Sequence, residues 1–171
     1  MAEYVIGAGT PADRMHLPLA TKTRKPIRNE VRRERAPESL RAAVQLWARE
    51  RPHADLRSIS GTYNCMGFVF ATRRTCIDIE ELQFILVEDG YKRIAETDVE
   101  PGDLVVYQRD GQRTHVALVL RVDGTFGGMM PNIVHACSQW GADGEYFHRA
   151  AYVPSHYGIP AEYWTDRVNL P

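Results

Sequence analysis

The sequence predicts an α+β fold, with helices first and an antiparallel meander after them. Between Pro37 and Gly90 the apolar residues recur at helical spacing. From Pro101 onward they come in compact β-rich runs instead. Asp110-Gly111 and Asp123-Gly124 separate those runs, and such dipeptides turn hairpins. At 171 residues the chain is long enough for one domain with a real core.

Residues 1–36 differ from the rest. They hold Gly7, Gly9, Pro11, Pro18 and Pro26 and show no apolar period. Lys22, Arg24, Lys25, Arg28, Arg32, Arg33 and Arg35 stand there against Glu30 and Glu34. The expectation is a basic, irregular arm at 1–36 and a single domain at 37–171. A basic arm can touch nucleic acid. No aromatic residues interleave these charges, which argues for an arm that packs on the domain or trails from it.

The first helix is expected from Pro37 to about Arg49. Pro37 suits the first turn and Glu38 complements the dipole there. Leu40, Ala43, Val44 and Trp47 form one apolar stripe, and Pro52 ends the helix. A short helix then follows the small polar run Ser58–Thr62 and carries Cys65 in its first turn. Ile79, Leu82, Ile85 and Leu86 mark another, stopped by Asp89-Gly90. Tyr91–Ile94 reads as a short extended piece.

Strands are expected at Leu104–Tyr107, His115–Val122, Ile133–Cys137, Glu145–His148 and Ala151–Pro154. Gly127-Gly128-Met129-Met130-Pro131 reads as a mobile loop, and the aromatic tail Ala161–Trp164 as a segment docking back on the domain. There are no internal repeats.

Composition bounds the function. The apolar and charged fractions, 44% and 25%, are ordinary, and the net charge of −1 supplies no field for nucleic acid or membrane. No apolar run approaches the roughly 18 residues of a membrane span. The N-terminus lacks the pattern of a secretory signal. Cys65, Cys76 and Cys137 are odd in number and irregular in spacing, which argues against a disulfide framework. The expected setting is the cytoplasm, with export by a dedicated machine left open.

Tyr63-Asn64-Cys65-Met66-Gly67-Phe68-Val69 is the stretch with the most chemistry. A thiol in the first turn of a helix sits where unpaired N–H groups and the macrodipole favour its anion. Thiol catalysis also needs an imidazole and a group to orient it. His115 opens a central strand, and His135 lies on the next one. Gln139 and His148 are alternative orienting groups. A zinc site from Cys65, Cys137, His115 and His135 lacks closely spaced ligand pairs, so no metal or cofactor is expected. Asp143 and Glu145, flanked by glycine, read as solvated or loop-stabilising carboxylates.

Four blocks resemble the NlpC-type cell-wall peptide hydrolases, part of the papain-like cysteine peptidase superfamily. Tyr63–Val69 resembles the nucleophile motif. Pro101-Gly102-Asp103-Leu104-Val105-Val106-Tyr107 is similar to the strand before the histidine, and His115–Leu120 to the histidine strand. Val134-His135-Ala136-Cys137-Ser138 is similar to the strand carrying the third polar residue. The blocks come in the family's order. Where the family commonly has an acidic residue and a serine beside the cysteine, this chain has Asn64 and Met66. The segments Ser138–His148 and Tyr163–Arg167 also resemble an uncharacterised bacterial group that shares the cysteine motif.

The resemblance implies a papain-like core, with helices packed on a central antiparallel sheet or half-barrel. It implies Cys65 as nucleophile, His115 as general base and acid, and His135 as the orienting residue. Tyr63, Asn64, Gln139 and Trp140 are the substrate and oxyanion candidates. The expected activity is cleavage of an amide or peptide bond through a thioester, with a peptide or amide partner of cell-wall type. An acyltransferase, or a non-catalytic binding module on the same fold, are the alternatives.

Overall fold

The computed structural model describes residues 15–124 and 132–168. The glycine-rich stretch at 127–131, expected as a mobile loop, lies outside them.

Of the basic arm, residues 15–36 pack against the rest of the chain. Ile27 is buried in a core cluster, and β1 (Asn29–Glu30) pairs with β3 (Cys76–Ile77). The arm's cations meet acidic groups: Lys25 meets Glu88, Arg28 meets Glu81, and Arg35 meets Asp143.

Helix α1 (Pro37–Glu50) has Pro37 in its first turn, and the Arg51 amide closes it on the Trp47 carbonyl. Leu40 and Ala43 of its stripe are buried, and Trp47 meets Trp140 edge-on with centroids 5.3 Å apart. Strand β2 (Asp55–Ser58) was not expected. Its side chains are mostly exposed, and it forms by pairing with β8 (Glu145–Arg149) rather than by burying an apolar face. Helix α2 (Cys65–Phe70) follows, then β3, and then α3 (Leu82–Glu88), entered through a single 3₁₀ turn at Ile79–Glu81.

The remaining strands are β4 (Lys92–Ile94), β5 (Leu104–Arg109), β6 (Gln112–Asp123), β7 (Ile133–Gln139), β8 and β9 (Ile159–Thr165). The β5–β6 hairpin turns at Asp110 and Gly111, both at positive φ (53° and 77°), as its two-residue turn requires. Seven strands form one antiparallel sheet in the order β2-β8-β7-β6-β5-β9-β4. Ala151–Pro154, expected as a strand, is irregular chain leading into a 3₁₀ turn at Ser155–Tyr157. The aromatic tail supplies a strand instead, and β9 enters the sheet between β5 and β4. The fold is α+β.

Strand alternation assigns the two faces. Leu104, Val106 and Val116 pack with Cys65, Met66, Leu82, Ile85 and Leu86 on the face covered by α2 and α3. Val105, Tyr107, Ala117 and Val119 pack with Val134, Ala136 and Tyr163 on the other. No helix among the described residues is long and apolar enough to cross a membrane.

Candidate functional site

The Cys65 helix is fixed by the residues around the thiol. Asn64 caps α2 from extended backbone, its Oδ1 accepting the Gly67 amide at 2.9 Å. The same oxygen accepts the Ile77 amide at 3.2 Å, and Nδ2 donates to the Ile77 carbonyl at 2.7 Å. An aspartate would cap the helix but has no N–H for that carbonyl. The amide at position 64 therefore ties α2 to β3, and its side chain is committed there rather than to an oxyanion. Gly67 is required by close approach: a Cβ would lie 1.7 Å from the Thr75 carbonyl oxygen. Met66 is fully buried, so the residue after the cysteine serves the core.

The thiol reaches a gap in the sheet. Val119 exchanges hydrogen bonds with Asp103 and Gly102 on the β5 side. Two-residue alternation therefore turns the Val116 amide to the other side, toward β7. The β6–β7 pairing begins only at Leu118 and Cys137, so at Val116 the two strands have already splayed apart. Cys65 fills that opening. Burial pushes its thiol up to about 11, while the backbone N–H groups of Val116, Met66 and Cys65 itself draw it down. At neutral pH the group is a thiol.

His115 is one residue from that amide and fully buried. It pairs with Tyr107 across β5 and shares the face of Ala117 and Val119, opposite to the α2 face. Its ring stacks on Tyr157, with centroids 3.9 Å apart and 18° between planes, and leans on Tyr107 at 5.3 Å. Neither ring nitrogen has a hydrogen-bond partner, so the imidazole is not bonded to the Cys65 thiol in this state. Burial, with His148 and His156 nearby, holds its pKa well below the usual histidine range. Thiol and imidazole are both neutral and share no hydrogen bond; what links them is the backbone, since Cys65 meets the amide of Val116, the residue after His115.

His135 does not belong to this site, which corrects the expected triad. The β6–β7 register places His135 opposite Arg121, not His115. There it contacts Asp123 Oδ2 at 2.8 Å and stacks on Phe147. His148 is no substitute, since both its nitrogens are occupied. Nδ1–H donates to the Arg149 carbonyl at 2.8 Å, and Nε2 accepts from the Ser138 hydroxyl at 2.9 Å. Burial lowers its pKa to about 4.

The remaining candidates have structural partners. The Trp140 indole N–H donates to Ser138 Oγ at 3.1 Å, and its ring stacks on Tyr146 at 4.2 Å. Gln139 Nε2 donates to the Ser60 carbonyl at 2.6 Å and holds the loop before Cys65, while its buried Oε1 has no partner. The Tyr63 hydroxyl donates to Glu145 at 3.1 Å. Glu145 also receives Arg73 through two bonds, at 2.7 and 3.0 Å, and the Cys137 thiol at 3.5 Å. Glu145 is thus a buried structural anion, not a solvated one. Asp143 accepts Arg35 and the Trp47 indole.

Cys76 is buried, and its thiol faces the Thr62 carbonyl at 3.7 Å. Among the described residues no three His, Cys, Asp or Glu side chains are grouped as metal ligands. Sequence reasoning missed Tyr157 and Thr114. The only available signal was the His156-Tyr157-Gly158 cluster before an aromatic tail, which has no spacing rule.

Comparison with protein-family models, curated proteins and solved structures finds no match for this chain.

Proposed function

We propose that the protein is a cysteine hydrolase of papain-like type that cleaves an amide or peptide bond through a Cys65 thioester. One observation carries this reading. The Cys65 thiol sits against the Val116 amide, and the adjacent residue carries a buried imidazole with both nitrogens unpartnered. Leaving such a group unsatisfied costs about 1–3 kcal/mol, and in native proteins that calls for a reason. A base that must accept and return a proton supplies one.

In the reaction, His115 takes the thiol proton as Sγ attacks the carbonyl carbon. The N–H groups of Cys65 and Met66, with that of Val116, face the developing oxyanion. His115 then gives its proton to the leaving amine, and the acyl group stays on sulfur. Water, deprotonated by His115, attacks the thioester, and the carboxylate leaves as the thiol is restored. Both partners start neutral, so the proton moves during attack rather than before it. The likeness of the Cys65 and His115 blocks to the NlpC-type hydrolases favours a peptide substrate.

The test is amine release from a panel of short acyl-peptide amides, with Cys65→Ala and His115→Ala as controls. Activity that both changes abolish, together with a mass increase on Cys65 when the thioester is trapped by acid, supports the reading. Alkylation of Cys65 no faster than that of Cys76, with no amine released from any substrate, overturns it.

A further inference from the structure

We propose that Tyr157 is the positioning residue for His115, holding by ring stacking the side chain that a third polar residue would otherwise hold by a hydrogen bond. This rests on Cys65 and His115 acting as nucleophile and base.

No polar side chain holds the imidazole: Gln139 Oε1 is buried and unpartnered, yet neither His115 nitrogen bonds to it. His135 pairs with Arg121 and Asp123 away from the splay. Both His148 nitrogens, the Trp140 indole N–H and the Gln139 amide nitrogen are bonded elsewhere. The contacts that orient His115 are its rings: Tyr157 face to face at 3.9 Å, and Tyr107 tilted at 5.3 Å.

Tyr157 is itself held firmly. The Thr114 hydroxyl, on the residue before His115, donates to the Tyr157 carbonyl at 2.6 Å. The next residue, Gly158, has φ +81°, and a Cβ there would lie 1.9 Å from the Gln108 carbonyl, so the chain at this point is pinned to β5. A Cβ on Gly141 would meet the Tyr157 hydroxyl at 3.6 Å, which places the phenol beside that turn. The ring is therefore fixed at its backbone, through both neighbouring strands, and lies flat on the imidazole. Burial, with Cys65 and Asp143 nearby, keeps the phenol protonated.

A stack and a hydrogen bond constrain a base differently. A hydrogen bond selects one ring nitrogen. A stack fixes only the plane of the ring and uses up neither nitrogen. This matches a buried imidazole with two unpartnered nitrogens.

The experiment compares Tyr157→Phe, Tyr157→Leu and Thr114→Val in the full chain, each checked for a cooperative thermal transition. Three measurements are made. The first is the NMR shift of the His115 ring protons, which face-on stacking moves upfield. The second is the rate of Cys65 alkylation by iodoacetamide, and the third is kcat and KM on the best amide substrate.

Tyr157→Phe should keep the upfield shift, with alkylation and kcat within about twofold of wild type. Tyr157→Leu should lose the shift and lower kcat by about tenfold or more at nearly constant KM, since small misplacements of a reacting group are costly. Thr114→Val leaves both rings in place but frees the anchor, and should give an intermediate shift and alkylation rate. It also serves where Tyr157→Leu does not fold. Equal losses in the Phe and Leu variants, or a Leu variant that loses the shift but keeps kcat, overturn the proposal. Activity that survives Cys65→Ala overturns the hydrolase reading instead. The NMR shift still reports on the stack in that case.

Discussion

Asn64 and Ile77 are joined by two hydrogen bonds, one in each direction, between the residue before the thiol and strand β3. The position needs a donor and an acceptor on one short side chain. Asn64→Asp keeps the cap but sets a carboxylate oxygen against the Ile77 carbonyl. The expected loss is about 1–3 kcal/mol in urea unfolding, the cost of an unmet buried group. A loss below about 0.5 kcal/mol would show that the pairing contributes little.

Gly67 tests the close approach of α2 to the Thr75 carbonyl. With the acceptor at 1.7 Å from a Cβ, Gly67→Ala must displace backbone rather than a flexible side chain. At least about 3 kcal/mol of stability should be lost, at the upper end for overpacking. A thermal melt close to wild type would mean that α2 moves without penalty.

Acid should unfold the protein through its neutral histidines. His115 and His148 both have folded-state pKa values below the ordinary value, the latter about 4. Below about pH 6.5 the unfolded chain takes up protons that the folded chain refuses. Stability therefore falls as pH drops from about 6.5, by up to about 1.4 kcal/mol per pH unit for each group. Urea midpoints between pH 7 and 5 measure this. His156 is lowered too, by burial first, so His115→Phe should remove part of the slope, and an unchanged slope would show that His115 charges in the folded state.

Arg73 and Glu145 give an effect in the same direction at lower pH. Burial raises the Glu145 carboxyl, but Arg73, Tyr63 and Cys137 outweigh it and hold the group below its usual range. Its contribution is present above the unfolded carboxylate pKa and is lost as pH falls through the folded value. Arg73→Met leaves the buried anion without its cation and should cost about 1–3 kcal/mol at pH 7, below the range for fully buried pairs because Arg73 is half exposed. It should also flatten the pH dependence between pH 5 and 3. A steeper acid limb in the variant would contradict this assignment.

Much of the scaffold was legible from the sequence. The α1 stripe, the Asp110-Gly111 turn and the helix starting at Cys65 all follow local rules, and local rules were obeyed there. β2 was not legible, because an exposed edge strand carries no apolar alternation and exists only through β8. That His115 lies on a central strand could be read, but the strand begins at Gln112 rather than at His115, and its face depends on strand parity, which only the packing of Val116 and Ala117 resolves. The error at His135 has one cause. The register across β6 and β7, irregular between Val119 and Arg121, is not written in the local pattern, and a shift of a few residues moves the side chain far along the sheet.

The position of β9 bears on how the molecule comes into being during synthesis. The last described strand lies inside the sheet, between β5 and β4, so β4 has no partner until β9 has been made. The turn carrying Tyr157 directly precedes β9 and reaches its place with it. A growing chain thus exposes Cys65 and His115 long before the ring that covers the imidazole emerges. Pairings this distant in sequence are slow to form. The chain then passes through a stage with an unstacked histidine and an open strand edge, which ends only when β9 is inserted.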